Sequence, residues 1–74
     1  MFILTQNQTG VVDTSKCFGI CIVDDSAVIR AYSNDTNDWI KLGIYKTRER
    51  AKEVIQEINT ALCEHRVSFD MPED

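Results

Sequence analysis

The stretch from Leu42 to Leu62, LGIYKTRERAKEVIQEINTAL, constrains this chain most, because it reads as one strand running straight into one amphipathic helix. Ala51, Val54, Ile55, Ile58, Ala61 and Leu62 recur at steps of three and four, the period of one helical face. Lys52, Glu53, Gln56, Glu57, Asn59 and Thr60 lie between them and suit a wet face. Neither Gly nor Pro interrupts the segment, and its Ala, Glu, Lys, Gln and Leu are good helix formers. Thr47 is the natural N-cap, since its hydroxyl can accept a backbone N–H of the first turn. The spacing predicts a helix from about Thr47 to about Glu64.

The start of that helix breaks an electrostatic rule. Exposed N–H groups make a helix N-terminus partly positive, so Asp and Glu are favoured there. Here Lys46, Arg48, Arg50 and Lys52 crowd the end, offset only by Glu49. One reading is a solvated helix end whose cations pair with nearby glutamates. The other is an anion site, in which free N–H groups and guanidinium forks converge on phosphate or carboxylate. No Gly-rich phosphate loop precedes the helix.

Ahead of the helix the pattern is β. Phe2 to Thr5 and Val11 to Asp13 read as short strands, joined by the polar bend Gln6 to Gly10. Cys17 to Val23 is almost wholly apolar, with Phe18, Ile20 and Ile22 on one side and Cys17, Gly19, Cys21 and Val23 on the other. Asp24-Asp25 makes a tight turn into Ser26 to Tyr32, where Ala27, Ile29 and Ala31 alternate with Val28, Arg30 and Tyr32. After the turn cluster Ser33 to Asn37, the strand Asp38 to Tyr45 sets Ile40, Leu42 and Ile44 toward the core, with Trp39, Lys41, Gly43 and Tyr45 opposite. Val67, Phe69 and Met71 mark a last short strand before Pro72. The expected fold is α+β: one domain over residues 1–74, an antiparallel meander of four to six short strands with one helix packed on one face. The uncovered face would carry Arg30, Tyr32, Trp39, Lys41 and Tyr45, residue types that stack on nucleobases and also favour ordinary solvent-facing strands.

Size and charge narrow the function. A 74-residue chain buries only roughly 60% of its unfolded surface and holds a core worth about 3–5 kcal/mol net, which makes a homo-oligomer a reasonable expectation. A net charge of −4 disfavours direct nucleic-acid binding through phosphates. No apolar run approaches the length of a membrane span, and MFILTQNQ lacks a basic leader region. Cys17, Cys21 and Cys63 match neither a disulfide framework nor zinc spacing, and His65 has no nucleophile motif beside it. These features predict a cytoplasmic, non-enzymatic protein with no metal or cofactor and with reduced thiols, Cys17 and Cys21 acting as small buried hydrophobes.

The opening MFILTQN, the segment LGIYKTRERAKEVIQEI and the ending FDMPED resemble a group of small, functionally uncharacterised proteins from phages and mobile elements of Gram-positive bacteria. In that group a variable β-rich stretch separates an ILTQ opening from an LGxYxTxERAKEV helix, and MPE stands near the end. The resembling pieces cover about half the chain, and no site residues carry over from them. The resemblance implies phage company and, with it, inhibition of host defence inside the host cell. The leading expectation is capture of a small anionic ligand such as a signalling nucleotide. Lys46, Thr47, Arg48, Arg50 and Lys52 would hold phosphate, and Arg30, Tyr32 and Trp39 would hold base or ribose. The alternatives are a protein–protein inhibitor or adaptor that docks on a host defence enzyme, and a structural prophage protein.

Overall fold

A computed structural model describes residues 1–35 and 38–74 and shows an α+β fold with a single helix. Thr36 and Asn37 of the expected turn cluster lie outside the described residues. The helix α1 spans Arg48–Cys63, and the Thr47 hydroxyl accepts the Arg50 N–H, as its capping role requires. Ala51, Val54, Ile58 and Ala61 are its buried stripe; Ile55 is half-buried and Leu62 is exposed. At the other end Arg66 N–H reaches Ala61 O and His65 N–H reaches Leu62 O, with His65 at φ 56°. This is a Schellman ending, in which a left-handed residue satisfies the last carbonyls, here without the usual glycine.

The strands are β1 (Phe2–Leu4), β2 (Val11–Asp13), β3 (Cys17–Ile22), β4 (Val28–Ser33), β5 (Trp39–Ile44) and β6 (Ser68–Asp70). They form not one meander but two three-stranded sheets, ordered β2-β1-β6 and β3-β4-β5. The second is an antiparallel meander; in the first, β1 pairs antiparallel with β2 but parallel with β6. A 3-10 turn, Thr14–Lys16, joins β2 to β3, and Asp13 accepts the Ser15 N–H and hydroxyl at its start. Those two bonds hold the Asp13 carboxyl below its usual pKa. One buried cluster draws Ile3 and Val12 from the first sheet, Ile29, Ala31 and Leu42 from the second, and the α1 stripe, closed by Phe69 and Met71. Val67 and Met71, expected within the last strand, flank β6 instead: Met71 is buried and Val67 is 77% exposed.

Two β-bulges redraw the faces that strict alternation predicts. Along β5, Gly43 pairs with Ile29 and Lys41 with Arg30, so Leu42 is the extra residue and turns inward at 1% exposure. Beyond it the parity inverts. Ile44 stands opposite Val28 on the outer face at 53% exposure, and Tyr45 swings inward at 6%. The expected core set Ile40/Leu42/Ile44 is therefore corrected to Leu42, with Tyr45 buried in place of Ile44. Ile40 faces the core side, opposite Ala31, yet stays half-exposed. Along β3, Cys17 pairs with Ser33 and Gly19 with Tyr32, leaving Phe18 as the extra residue. Cys17, Ile20 and Ile22 then pack against the core, while Cys21 lies exposed opposite Arg30. The cysteines do not point the same way, and only Cys17 behaves as a partly buried hydrophobe.

The C-terminal residues are strapped to the body. Met71 N–H donates to Leu4 O, Tyr45 Oη to Pro72 O, Gln6 Nε2 to Glu73 O and Arg50 Nε to Asp74 O. The bonds to this tail reach its backbone, so docking does not use its acidic side chains.

Candidate functional site

The first turn of α1 holds the cations named above but does not bring them together. Positions two apart on a helix lie on nearly opposite sides, so Arg48 and Arg50 diverge. Arg48 crosses to the β3–β4 turn and donates from Nη1 to Val23 O at 3.2 Å and Ser26 O at 3.1 Å. Arg50 turns the other way. Its Nη1 lies 3.1 Å from both Glu53 Oε1 and Glu57 Oε2, and its guanidinium sits 6.0 Å from the Tyr45 ring centre. The hydrogen bond to Glu53 leads the interactions that raise its already high pKa. Lys46 and Lys52 are exposed and form no ion pair among the described residues. Thr47 is spent on the cap. A phosphate bound here would compete with the carbonyls that hold Arg48 and the carboxylates that hold Arg50.

The outer face of the β3-β4-β5 sheet is different. Its rows are Val28 opposite Ile44, Arg30 opposite Lys41 and Tyr32 opposite Trp39. The Arg30 guanidinium carbon lies 3.6 Å from the Trp39 ring centre, a close stack of a cation on an indole face. Arg30 Nε is shut off from solvent and has no hydrogen-bond partner, and the side chain forms no ion pair among the described residues. Stacking, not a carboxylate, fixes this charge. Beside it the Tyr32 ring lies 5.9 Å from that of Phe18, tilted by 38°. Arg30, Tyr32 and Trp39 therefore sit together as the alternation of β4 and β5 predicts. Tyr45 has left this face for the core, where burial raises its phenol pKa. Phe18 has joined it. Only the β3 bulge puts Phe18 there, and nothing in CFGICI announces that bulge.

Concave space lies elsewhere. A groove of about 310 Å³ runs between β3 and α1, with Phe18, Ile20, Ile55 and Leu62 on its walls. One of about 490 Å³ on the far side of α1 is lined by Glu53, Glu57 and Glu64 with Arg66, and so favours cations over anions. Among the described residues no group of three His, Cys, Asp or Glu side chains could hold a metal ion, and no helix is long and apolar enough to cross a membrane. His65 serves the helix ending described above. In comparisons with known proteins, no family model, no curated protein and no solved structure matches this chain.

Proposed function

We propose that this chain is a non-enzymatic binding protein that docks on a partner protein through the outer face of the β3-β4-β5 sheet. The observation that carries this reading is the Arg30–Trp39 stack. A guanidinium held by a ring and, among the described residues, without a carboxylate keeps its charge for a partner's Asp or Glu, with little side-chain entropy still to lose. Trp, Tyr and Arg are also the residue types that dominate binding energy at protein interfaces, and the face presenting them is a sheet surface rather than a pocket. The resemblance to small phage proteins supports a role in blocking host defence, with a host defence enzyme as the partner.

Capture of a signalling nucleotide is the second reading. Its stacking half is supported by the adjacency of Arg30, Tyr32 and Trp39. Its phosphate half is weakened by the commitments of Arg48 and Arg50. The two readings separate in one pair of measurements on the wild type, Arg30→Glu and Trp39→Ala. Docking predicts a stoichiometric host protein captured by the wild type and lost in both variants, with no nucleotide raising the melting temperature. A nucleotide-dependent rise that Trp39→Ala abolishes would instead favour capture.

A further inference from the structure

We infer that the partner element seated on the outer β3-β4-β5 face is an amphipathic helix lying along β4, with an Asp or Glu between two apolar residues. This rests on the docking reading and names the occupant's form. The face is banded along β4. Val28 and Ile44 make an apolar row, Arg30 and Lys41 a cationic row, and Tyr32 and Trp39 an aromatic row. Among the described residues these rows hold no carboxylate, and neither cation forms an ion pair. Ile44 at 53% and Trp39 at 48% exposure leave both outer rows open to a partner. Charge complementarity therefore asks for an acid at the centre of the occupant and apolar side chains at both ends.

A lone extended segment laid on a sheet face cannot reach the N–H and C=O groups of the sheet. Its own backbone groups would be buried unpaired, at about 1–3 kcal/mol each. A helix brings its backbone bonds with it. The dimensions agree. Three strands span about 10 Å between the outer two, and one helix with its side chains is about 10–12 Å wide. Rows two residues apart along a strand are about 6.6 Å apart, and helix positions i and i+4 rise by about 6 Å. Three successive turns of one helical stripe therefore meet the three rows. The same sheet already packs a helix, α1, on its inner side.

Selection on the intact chain from two displayed libraries tests this. One is a helical-hairpin scaffold randomised on a single outward face, and the other is a β-hairpin scaffold randomised likewise. Helical binders should enrich Asp or Glu at a central position, with apolar residues one turn away on each side. Arg30→Glu, Lys41→Glu and Trp39→Ala should each weaken them about tenfold in calorimetric titration. Exchanging the central acid for Lys should restore binding to the Arg30→Glu chain to within about threefold of the original pair. Lys41 and Trp39 are exposed, and far-UV circular dichroism checks that each variant is folded. Helical binders that lack a central acid, or that ignore both charge reversals, overturn the inference. So does enrichment from the β-hairpin library alone. If those β-hairpin binders weaken in Arg30→Glu and Trp39→Ala, docking on this face survives and only the helix falls. Binders from neither library that respond to the three variants would end both.

Discussion

The side-chain amide of Gln6 occupies both backbone groups of Ile44: Ile44 N–H donates to Gln6 Oε1 at 2.7 Å, and Gln6 Nε2 donates to Ile44 O at 2.9 Å. One side chain thus imitates a neighbouring strand at the outer edge of β5. Gln6 N–H adds a bond to Leu42 O, and Nε2 also reaches Glu73 O. A single residue ties together the β1 turn, the β5 bulge and the C-terminal tail. Gly43 makes room for it, since a Cβ there would lie 3.1 Å from Gln6 Cβ, Gln6 Oε1 and Tyr45 Oη.

Removing that amide should loosen all the parts it joins. Gln6→Ala is expected to lower stability by about 1–3 kcal/mol, because the Ile44 groups lose their partner. Gly43→Ala should destabilise by about 1–2 kcal/mol through crowding. In the double variant the crowding is partly relieved, so chemical denaturation should give a combined loss smaller than the sum of the singles.

The β5 bulge makes opposite forecasts for two similar residues. Leu42→Ala empties a fully buried site and should cost about 2–5 kcal/mol, comparable to the whole net stability of so small a domain. Ile44→Ala removes a half-exposed side chain and should change stability by about 0.5 kcal/mol or less. Equal losses in thermal melts would mean that the strand keeps regular alternation.

Tyr45 supplies an alkaline limit. Burial favours the neutral phenol and raises its pKa, and Tyr45 Oη donates to Pro72 O at 2.9 Å. With the folded value above the unfolded one, the stabilisation is complete below the ordinary tyrosine pKa of about 10 and is lost as pH rises through the raised value. Tyr45→Phe should therefore be less stable than the wild type by about 1 kcal/mol at neutral pH. That gap should shrink in alkaline solution, as equilibrium unfolding at a series of pH values would record.

His65 is strained for a reason unrelated to chemistry. It holds φ 56° at the end of α1, a conformation that glycine adopts without penalty. His65→Gly should raise stability by about 0.5–1 kcal/mol and leave binding unchanged. A lower melting temperature would show that the imidazole contributes more than its backbone costs.

What the sequence determined by itself is local. The helix, its Thr47 cap and its buried stripe follow from a period and a propensity that neighbouring residues impose on one another. The β3–β4 hairpin and the shared face of Arg30, Tyr32 and Trp39 follow from alternation across short turns. Tertiary structure decided the rest, because it depends on partners distant in the chain. The bulges at Phe18 and Leu42 invert parity only when a neighbouring strand fixes the register, and so exchange Ile44 for Tyr45 in the core. Arg48 and Arg50 look alike in sequence, yet one meets turn carbonyls and the other meets glutamates and the C-terminus. The parallel β1–β6 pair joins the two ends of the chain, and no local pattern encodes a contact of that span.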